Sequence, residues 1–424
     1  MQRRNESWFE LSESPLGIRA NILWNTLGNF IYLASQWFLT FCVVAVLGIE
    51  NMGVFSLAIA ITGAVIGISF YGVRSFQVSD VKGKYLDQVY VLARIITSAI
   101  SLVVCAVFVA FNAYSLYVSV CILVYMLFKI SESLSDVYQG VFQKTMRMDY
   151  IGKSFIIKGI AILLLFLATI YLTQDLLLGV VALCLCSCVI IALYDMRYAK
   201  KFIQTIKETD WVSPTKALLI ECLPIAGYTV VFNMLSQIPR YFIEIQMGME
   251  ALGFYATIAM PVAIVQVSAS FIFAPLTTPF AQHLNKGEIA SFSRLLVKTL
   301  LFLGALSVVS IIVFALLGEW MLIMLFGEMI APYTYLLMPL VICTILVAVS
   351  WFLSTLLVVL RKQKTLLLIA VISLAIVLFG SLPLIELFAQ NGASIVLIVS
   401  LSLFCINSSI ALAICLKKSA KTQV

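Results

Sequence analysis

GIENMGVF (48–55) and GMEALGFY (248–255) decide the reading of this chain. Gly48, Glu50, Gly53 and Phe55 of the first stretch recur as Gly248, Glu250, Gly253 and Tyr255 of the second, at a constant offset of 200 residues. Each stretch forms a very short turn between two long apolar runs, 22–47 and 52–73 in one case, 218–247 and 251–280 in the other. A helix that crosses a bilayer needs about 20 mostly apolar residues. Eight further runs meet that length or come close: 88–111, 115–130, 155–173, 176–194, 296–318, 331–358, 365–388 and 393–416. The expectation is an all-α polytopic membrane protein of about twelve transmembrane helices. It divides into two pseudo-symmetric six-helix bundles, 1–207 and 208–424, around a central cavity. An even number of spans per half gives both halves the same orientation, related by an axis along the membrane normal.

Composition leaves no other class. Of 424 residues 62% are hydrophobic and 11% charged, with a mean hydropathy of +1.09, whereas soluble domains carry about 25% charged residues. Charge is sorted along the chain. Alternate connections carry Arg3, Arg4 and Arg19; Arg74, Lys82 and Lys84; Lys144, Arg147 and Lys153; Arg197, Lys200, Lys201, Lys207 and Lys216; Lys286 and Arg294; Arg361, Lys362 and Lys364; and Lys417, Lys418 and Lys421. The opposite connections hold Glu50, Asp175, Glu250, Glu319, Glu328 and Glu386, with no Lys or Arg. This is the positive-inside distribution. It predicts that both termini are cytoplasmic, and it accounts for the net charge of +7 without a nucleic-acid partner.

Cys184, Cys186 and Cys188 lack the second pair of ligands a metal site requires, and His283 is the only histidine. The chain carries no Walker loop, G-x-G-x-x-G, H-E-x-x-H or G-x-S-x-G, the motifs of nucleotide-driven or hydrolytic chemistry. No metal, cofactor or catalytic residue is expected. The short connections offer no loop large enough for a membrane-bound glycosyltransferase or polymerase, so the protein is not expected to be an enzyme.

GVRSFQVSDVKGKY (72–85), followed by Tyr90 and Arg94, and SDVYQGVFQKTMRMDYIGKS (135–154) resemble the oligosaccharide-lipid flippases of bacterial polysaccharide export. These include O-antigen and capsule-unit translocases, in the superfamily shared with multidrug and toxic-compound extruders and the lipid II flippase. The resemblance implies a bacterial cytoplasmic-membrane protein that moves an undecaprenyl-pyrophosphate-linked oligosaccharide from the inner to the outer leaflet by alternating access. A polysaccharide polymerase and glycosyltransferases would be its partners. Relatives often carry an acid directly before a basic residue in the seventh helix, where this chain has Pro239 before Arg240.

A pyrophosphate cannot cross hydrocarbon unaided, and a guanidinium can bind its oxygens bidentately. Arg240 is therefore the leading head-group candidate. It lies eight residues before Gly248, about 12 Å below the outer helix end, with Glu244 four residues on as a ready partner. Arg74, Arg94, Lys129, Lys158 and Arg147 lie at or near the cytoplasmic helix ends and read either as an inner cationic gate or as interfacial ion pairs. Glu244, Glu132, Asp136 and Glu221 are the acids available for proton or sodium coupling or for ion pairing. The membrane potential is the alternative driving force. Pro224, Pro239 and Pro261 are candidate hinges, with Pro275 and Pro279 nearby. A cation-coupled multidrug extruder is the competing reading, but the first span, 22–47, lacks the acid such proteins commonly carry there.

Overall fold

The computed structural model describes residues 16–80, 83–203, 211–273 and 276–421. Helix α1 (Ile18–Phe70) contains two of the expected spans, and so does α8 (Val212–Phe273). Each is interrupted at one glycine, Gly48 at φ 84°, ψ 178° and Gly248 at φ 84°, ψ 179°. That region of backbone space is essentially closed to residues with a Cβ and costs about 1–3 kcal/mol to occupy. The result is two helical arms on either side of each bend, 18–47 and 49–70 in α1, 212–247 and 249–273 in α8. Gly48→Ala or Gly248→Ala is expected to lower the melting temperature in detergent. Gly304→Ala, at a helical site with open space around it, is expected to leave it unchanged or raise it.

The remaining helices are the short α2 (Val73–Ser79), then α3 (Asp87–Phe111), α4 (Leu116–Lys144), α5 (Met148–Thr173) and α6 (Leu176–Ile190), which passes through a π turn, Ile191–Asp195, into α7 (Met196–Ala199). After α8 follow α9 (Thr277–Asn285), α10 (Ile289–Phe326), a 3-10 segment (Glu328–Leu336), α11 (Leu337–Val359), α12 (Gln363–Phe388) and α13 (Gln390–Lys421). Among the described residues ten helices are long and apolar enough to cross a membrane, and the two bent ones supply two crossings each. Helices α1 to α7 pack together as one bundle and α8 to α13 as another, with α1 against α8 as the main seam. The division expected between 207 and 208 lies outside the described residues.

Leu172, Leu316, Phe379 and Phe111 stand more than three-quarters exposed, as side chains bathed in lipid do. Several helices overrun their apolar runs. The fourth span was expected to end at 130, but α4 continues to Lys144, because Glu132 and Asp136 are neutralised inside the bundle rather than released to water. The fifth starts at Met148 rather than 155, with Asp149 held between Arg147 and Lys153. Residues 331–336, expected to open the tenth span, belong instead to the 3-10 segment containing Pro332. The eighth span is described as far as Phe273, and Pro279 falls in α9. Pro275 lies outside the described residues.

The two bends touch. A Cβ on Gly53 would stand 1.9 Å from the Met249 carbonyl oxygen, and one on Gly253 would stand 2.2 Å from that of Ile49. This reciprocal packing brings equivalent parts of the two halves face to face at the bend end. Gly63 and Gly67 of the second arm of α1, and Gly72 just beyond its end, extend the close approach along the first arm of α8, against Gln237, Val230 and Ile225. Pro224, Pro239 and Pro261 all sit within α8, whose departure from helical geometry is at Gly248.

Candidate functional site

Where the arms meet, the structure holds a cavity of about 790 Å³, bounded by both arms of α1, both arms of α8, and α10. Its wall is mostly aliphatic and aromatic. Phe30, Leu33, Ile264, Val309 and Leu317 form part of it and are exposed, so the cavity is open beside apolar side chains of α1, α8 and α10. Among the described residues Arg240 is the only charged one in the lining. It comes from the first arm of α8, is half-buried, and has no ion pair or hydrogen bond among the described residues.

Glu244 is not its partner. Tyr114 of the α3–α4 connection donates to Glu244 Oε2 at 3.3 Å, and Tyr241 beside it donates to Asn112 Oδ1 at 2.5 Å. Arg240 precedes Glu244, the less favourable order for an i,i+4 pair, and a neutral donor from the other bundle takes the carboxylate instead. Arg240 is left free in the cavity.

The other basic candidates lie outside this lining. Arg94 is completely buried: it donates to Asp136 Oδ2 at 2.7 Å and to the carbonyls of Ser69 and Phe70 at 2.9 and 2.6 Å. It thereby satisfies acceptors at the end of α1 that helix geometry leaves open. Arg74 binds the other oxygen of Asp136 at 2.8 Å and reaches Gln139 and Gln143. Arg147 forms a two-pronged pair with Asp149, 2.9 Å on each side, and stacks on Tyr150. Lys158 donates to Ser135 at 2.9 Å and lies 3.7 Å from Asp195, which also accepts from Ser135. Lys129 pairs with Glu132, to which Tyr32 of α1 also donates. These cations each face a carboxylate within the first bundle, the arrangement of the ion-pair reading.

Asp195 follows directly on the expected sixth span, 176–194, yet it is fully buried at the end of the π turn. Only the tertiary position of Lys158, 37 residues earlier, makes that tolerable.

Glu221 lies at the opposite end of the seam from the bends. Lys84 pairs with it and Tyr85 donates to it at 3.1 Å, both from the α2–α3 connection of the other bundle. Asp80 shapes that connection by accepting from the amides of Lys84 and Tyr85 at 2.8 and 3.0 Å and from the Tyr90 hydroxyl at 3.0 Å. Burial works to raise the Asp80 carboxyl, but these bonds outweigh it and hold it below its ordinary 3.8. A depressed acid stabilises above its unfolded value and loses that contribution as pH falls through the folded one. Protection of the Lys84 and Tyr85 amides from hydrogen exchange is therefore expected to persist down to about pH 4 and to fall only in stronger acid.

The pair also offers a test of movement. Cys222, next to Glu221, is fully buried among Val73, Tyr85 and Tyr90 of the other bundle. Lys84 and Glu221 are both substantially exposed, and such pairs contribute at most about 1 kcal/mol. Glu221→Lys is expected to raise the rate at which a membrane-impermeant maleimide labels Cys222 by a few-fold, and the swap K84E/E221K to restore it.

The sequence reading missed Gln36, Thr40 and Ser56, which line the cavity beside Arg240. The signal was in the repeat: carried inward from the bends, the 200-residue offset relates Arg240 to Thr40.

Comparison with known proteins agrees with this architecture. Residues 18–280 match the family described as polysaccharide biosynthesis protein. The chain belongs to that family. It is 26% identical over 382 residues to the capsular polysaccharide biosynthesis protein CapF of Staphylococcus aureus, covering 88% of this chain and 95% of that one. Among solved structures it is similar to an inward-facing multidrug resistance MATE family transporter of the MOP superfamily, with a TM-score of 0.68, 12% identity, and coverage of 94% and 100%. The eukaryotic MATE transporter AtDTX14 gives 0.68, 12%, 96% and 97%. A MOP superfamily transporter from Pyrococcus furiosus gives 0.66, 13%, 95% and 96%. The solved structures it resembles are membrane transporters, and the chain shares their fold, that of a multi-pass helical membrane protein.

Proposed function

We propose that the protein translocates an undecaprenyl-pyrophosphate-linked oligosaccharide from the inner to the outer leaflet of the bacterial cytoplasmic membrane for surface polysaccharide assembly. The observation that carries this reading is Arg240, an uncompensated guanidinium in a cavity otherwise free of charge and open to lipid. An intramembrane charge costs about 2.5–3.5 kcal/mol on insertion scales and is usually tied to function. A lipid with an anionic head matches both features: the guanidinium takes the phosphate, and the apolar side opening admits the polyprenyl tail. A multidrug extruder needs the opposite charge, and the lining contains no acid. Relatedness to a capsular polysaccharide biosynthesis protein supports the same substrate class.

The two bundles would rock about the α1–α8 seam, exposing the cavity to each side in turn. The sorted loop charges support cytoplasmic termini and, with them, outward-facing bends. Carrying an anion outward against an inside-negative potential is downhill by about 2.3 kcal/mol per charge per 100 mV, so the potential suffices. The acids available for proton or sodium coupling, Glu132, Asp136, Glu221 and Glu244, all hold partners in this state. Glycosyltransferases would supply the substrate and a polymerase would consume it. Deleting the gene is expected to strand lipid-linked oligosaccharide on the cytoplasmic face and abolish surface polysaccharide, both restored by a plasmid copy. Normal surface polysaccharide in the deletion strain, with resistance to cationic drugs lost, would overturn the reading in favour of the extruder.

A further inference from the structure

The repeat makes a statement about the cavity that neither half makes alone. Thr40 and Arg240 are equivalent positions, eight residues before Gly48 and Gly248, and Ser56 and Ala256 are equivalent positions, eight residues after them. Each lies about 12 Å from its bend at 1.5 Å per residue. Because the two bends pack against each other, these four positions, one on each arm, share one depth, and all four line the cavity. The Ser56 side chain is 1% exposed, yet its Oγ has no hydrogen-bond partner. A serine in a helix can ordinarily bond to the carbonyl one turn back, as Thr62, Ser354 and Ser381 do here. Gln36, one turn below Thr40 on the same arm, also lines the cavity, and its Nε2 is buried without a partner. Thr40 itself is spent on the Trp37 carbonyl at 2.6 Å, and Ala256 carries no polar group.

We propose that Ser56 and Gln36 complete, with Arg240, a single anion site for the phosphate of a lipid substrate. The guanidinium supplies the one positive charge, and the hydroxyl and amide supply neutral donors from the other bundle. This rests on the flippase reading and deepens it. The site spans the seam, so a bound head group ties the two bundles together. It discriminates an isoprenoid phosphate from an isoprenoid alcohol, because unpaired buried donors gain most from a charged acceptor.

The test uses the full-length protein in phosphatidylcholine nanodiscs, with binding of undecaprenyl pyrophosphate and undecaprenol followed by native mass spectrometry. The wild type is expected to prefer the pyrophosphate. Ser56→Ala and Gln36→Leu are each expected to reduce that preference about tenfold, the loss of one charge-assisted hydrogen bond, with alcohol binding unchanged. Arg240→Gln is expected to abolish it. Ser56→Ala removes a hydroxyl that bonds to nothing, so its melting temperature should match or exceed the wild type, which separates a binding role from a structural one. Full preference retained in Ser56→Ala and Gln36→Leu overturns the shared site. So does a wild type that restores export in cells yet shows no preference, and neither result touches the flippase reading. A wild type that fails to restore export in the deletion strain overturns the flippase reading itself.

Discussion

Arg240→Ala is expected to abolish export of the sugar unit while leaving the protein in the membrane at least as stable as the wild type. The two halves of that expectation have one cause. Arg240 has no protein partner among the described residues and lines a cavity in the apolar slab. It contributes nothing measurable to holding the fold, and its removal relieves an insertion cost of about 2.5–3.5 kcal/mol. Its contribution is to the passenger. A guanidinium that binds a pyrophosphate through two parallel bonds contributes about 1.5–3 kcal/mol per charged hydrogen bond, so losing two of them lowers occupancy by about a hundredfold or more. Arg240→Lys keeps the charge but not the fork and is expected to fall between the two. The measurements are surface polysaccharide in a complemented deletion strain and melting temperature of the purified protein. Wild-type export with Arg240→Ala removes the role assigned to this residue. Loss of export together with loss of folded protein assigns it a structural one.

The opposite behaviour is expected at Asp136. Its two oxygens hold Arg74 at 2.8 Å and Arg94 at 2.7 Å, and Arg94 is wholly buried. Removing one partner of a buried pair leaves an uncompensated charge and costs about 3–5 kcal/mol, out of a total stability that is usually about 5–15 kcal/mol. Arg94 also ties α3 to the end of α1 through the Ser69 and Phe70 carbonyls, so its displacement would loosen three helices together. Asp136→Ala is expected to reduce folded protein in the membrane severely, and Asp136→Asn less so. Arg74→Ala is expected to be mild, because Arg74 is a quarter exposed and Asp136 would keep Arg94. Quantified membrane abundance and thermal unfolding check the order. If Asp136→Ala folds normally but exports nothing, Asp136 belongs to transport rather than to the scaffold.

Arg240 and Arg94 are both arginines in apolar helices, and the sequence separates them by depth but not by partner. The sequence by itself determined what depends on composition and period. The apolar runs had to become spanning helices, because only internally bonded backbone survives in hydrocarbon. The 200-residue offset implied two like halves with a short turn at 48–55 and at 248–255, and the structure put each bend at the first glycine, in a backbone conformation that tolerates little else. Span ends were legible only where charge meets water. They failed at α4 and α5, where Glu132, Asp136 and Asp149 find cations inside the bundle and the helix runs on through them. Pairing is what only the tertiary structure decided. Arg94 meets Asp136 across 42 residues, Lys158 meets Asp195 across 37, and Glu244 goes to Tyr114 rather than to the arginine one turn away. Whether a buried charge is scaffold or site depends on which distant side chain the packing brings to it. Among the described residues that line the cavity, that sum over long-range contacts left Arg240, Ser56 Oγ and Gln36 Nε2 without partners.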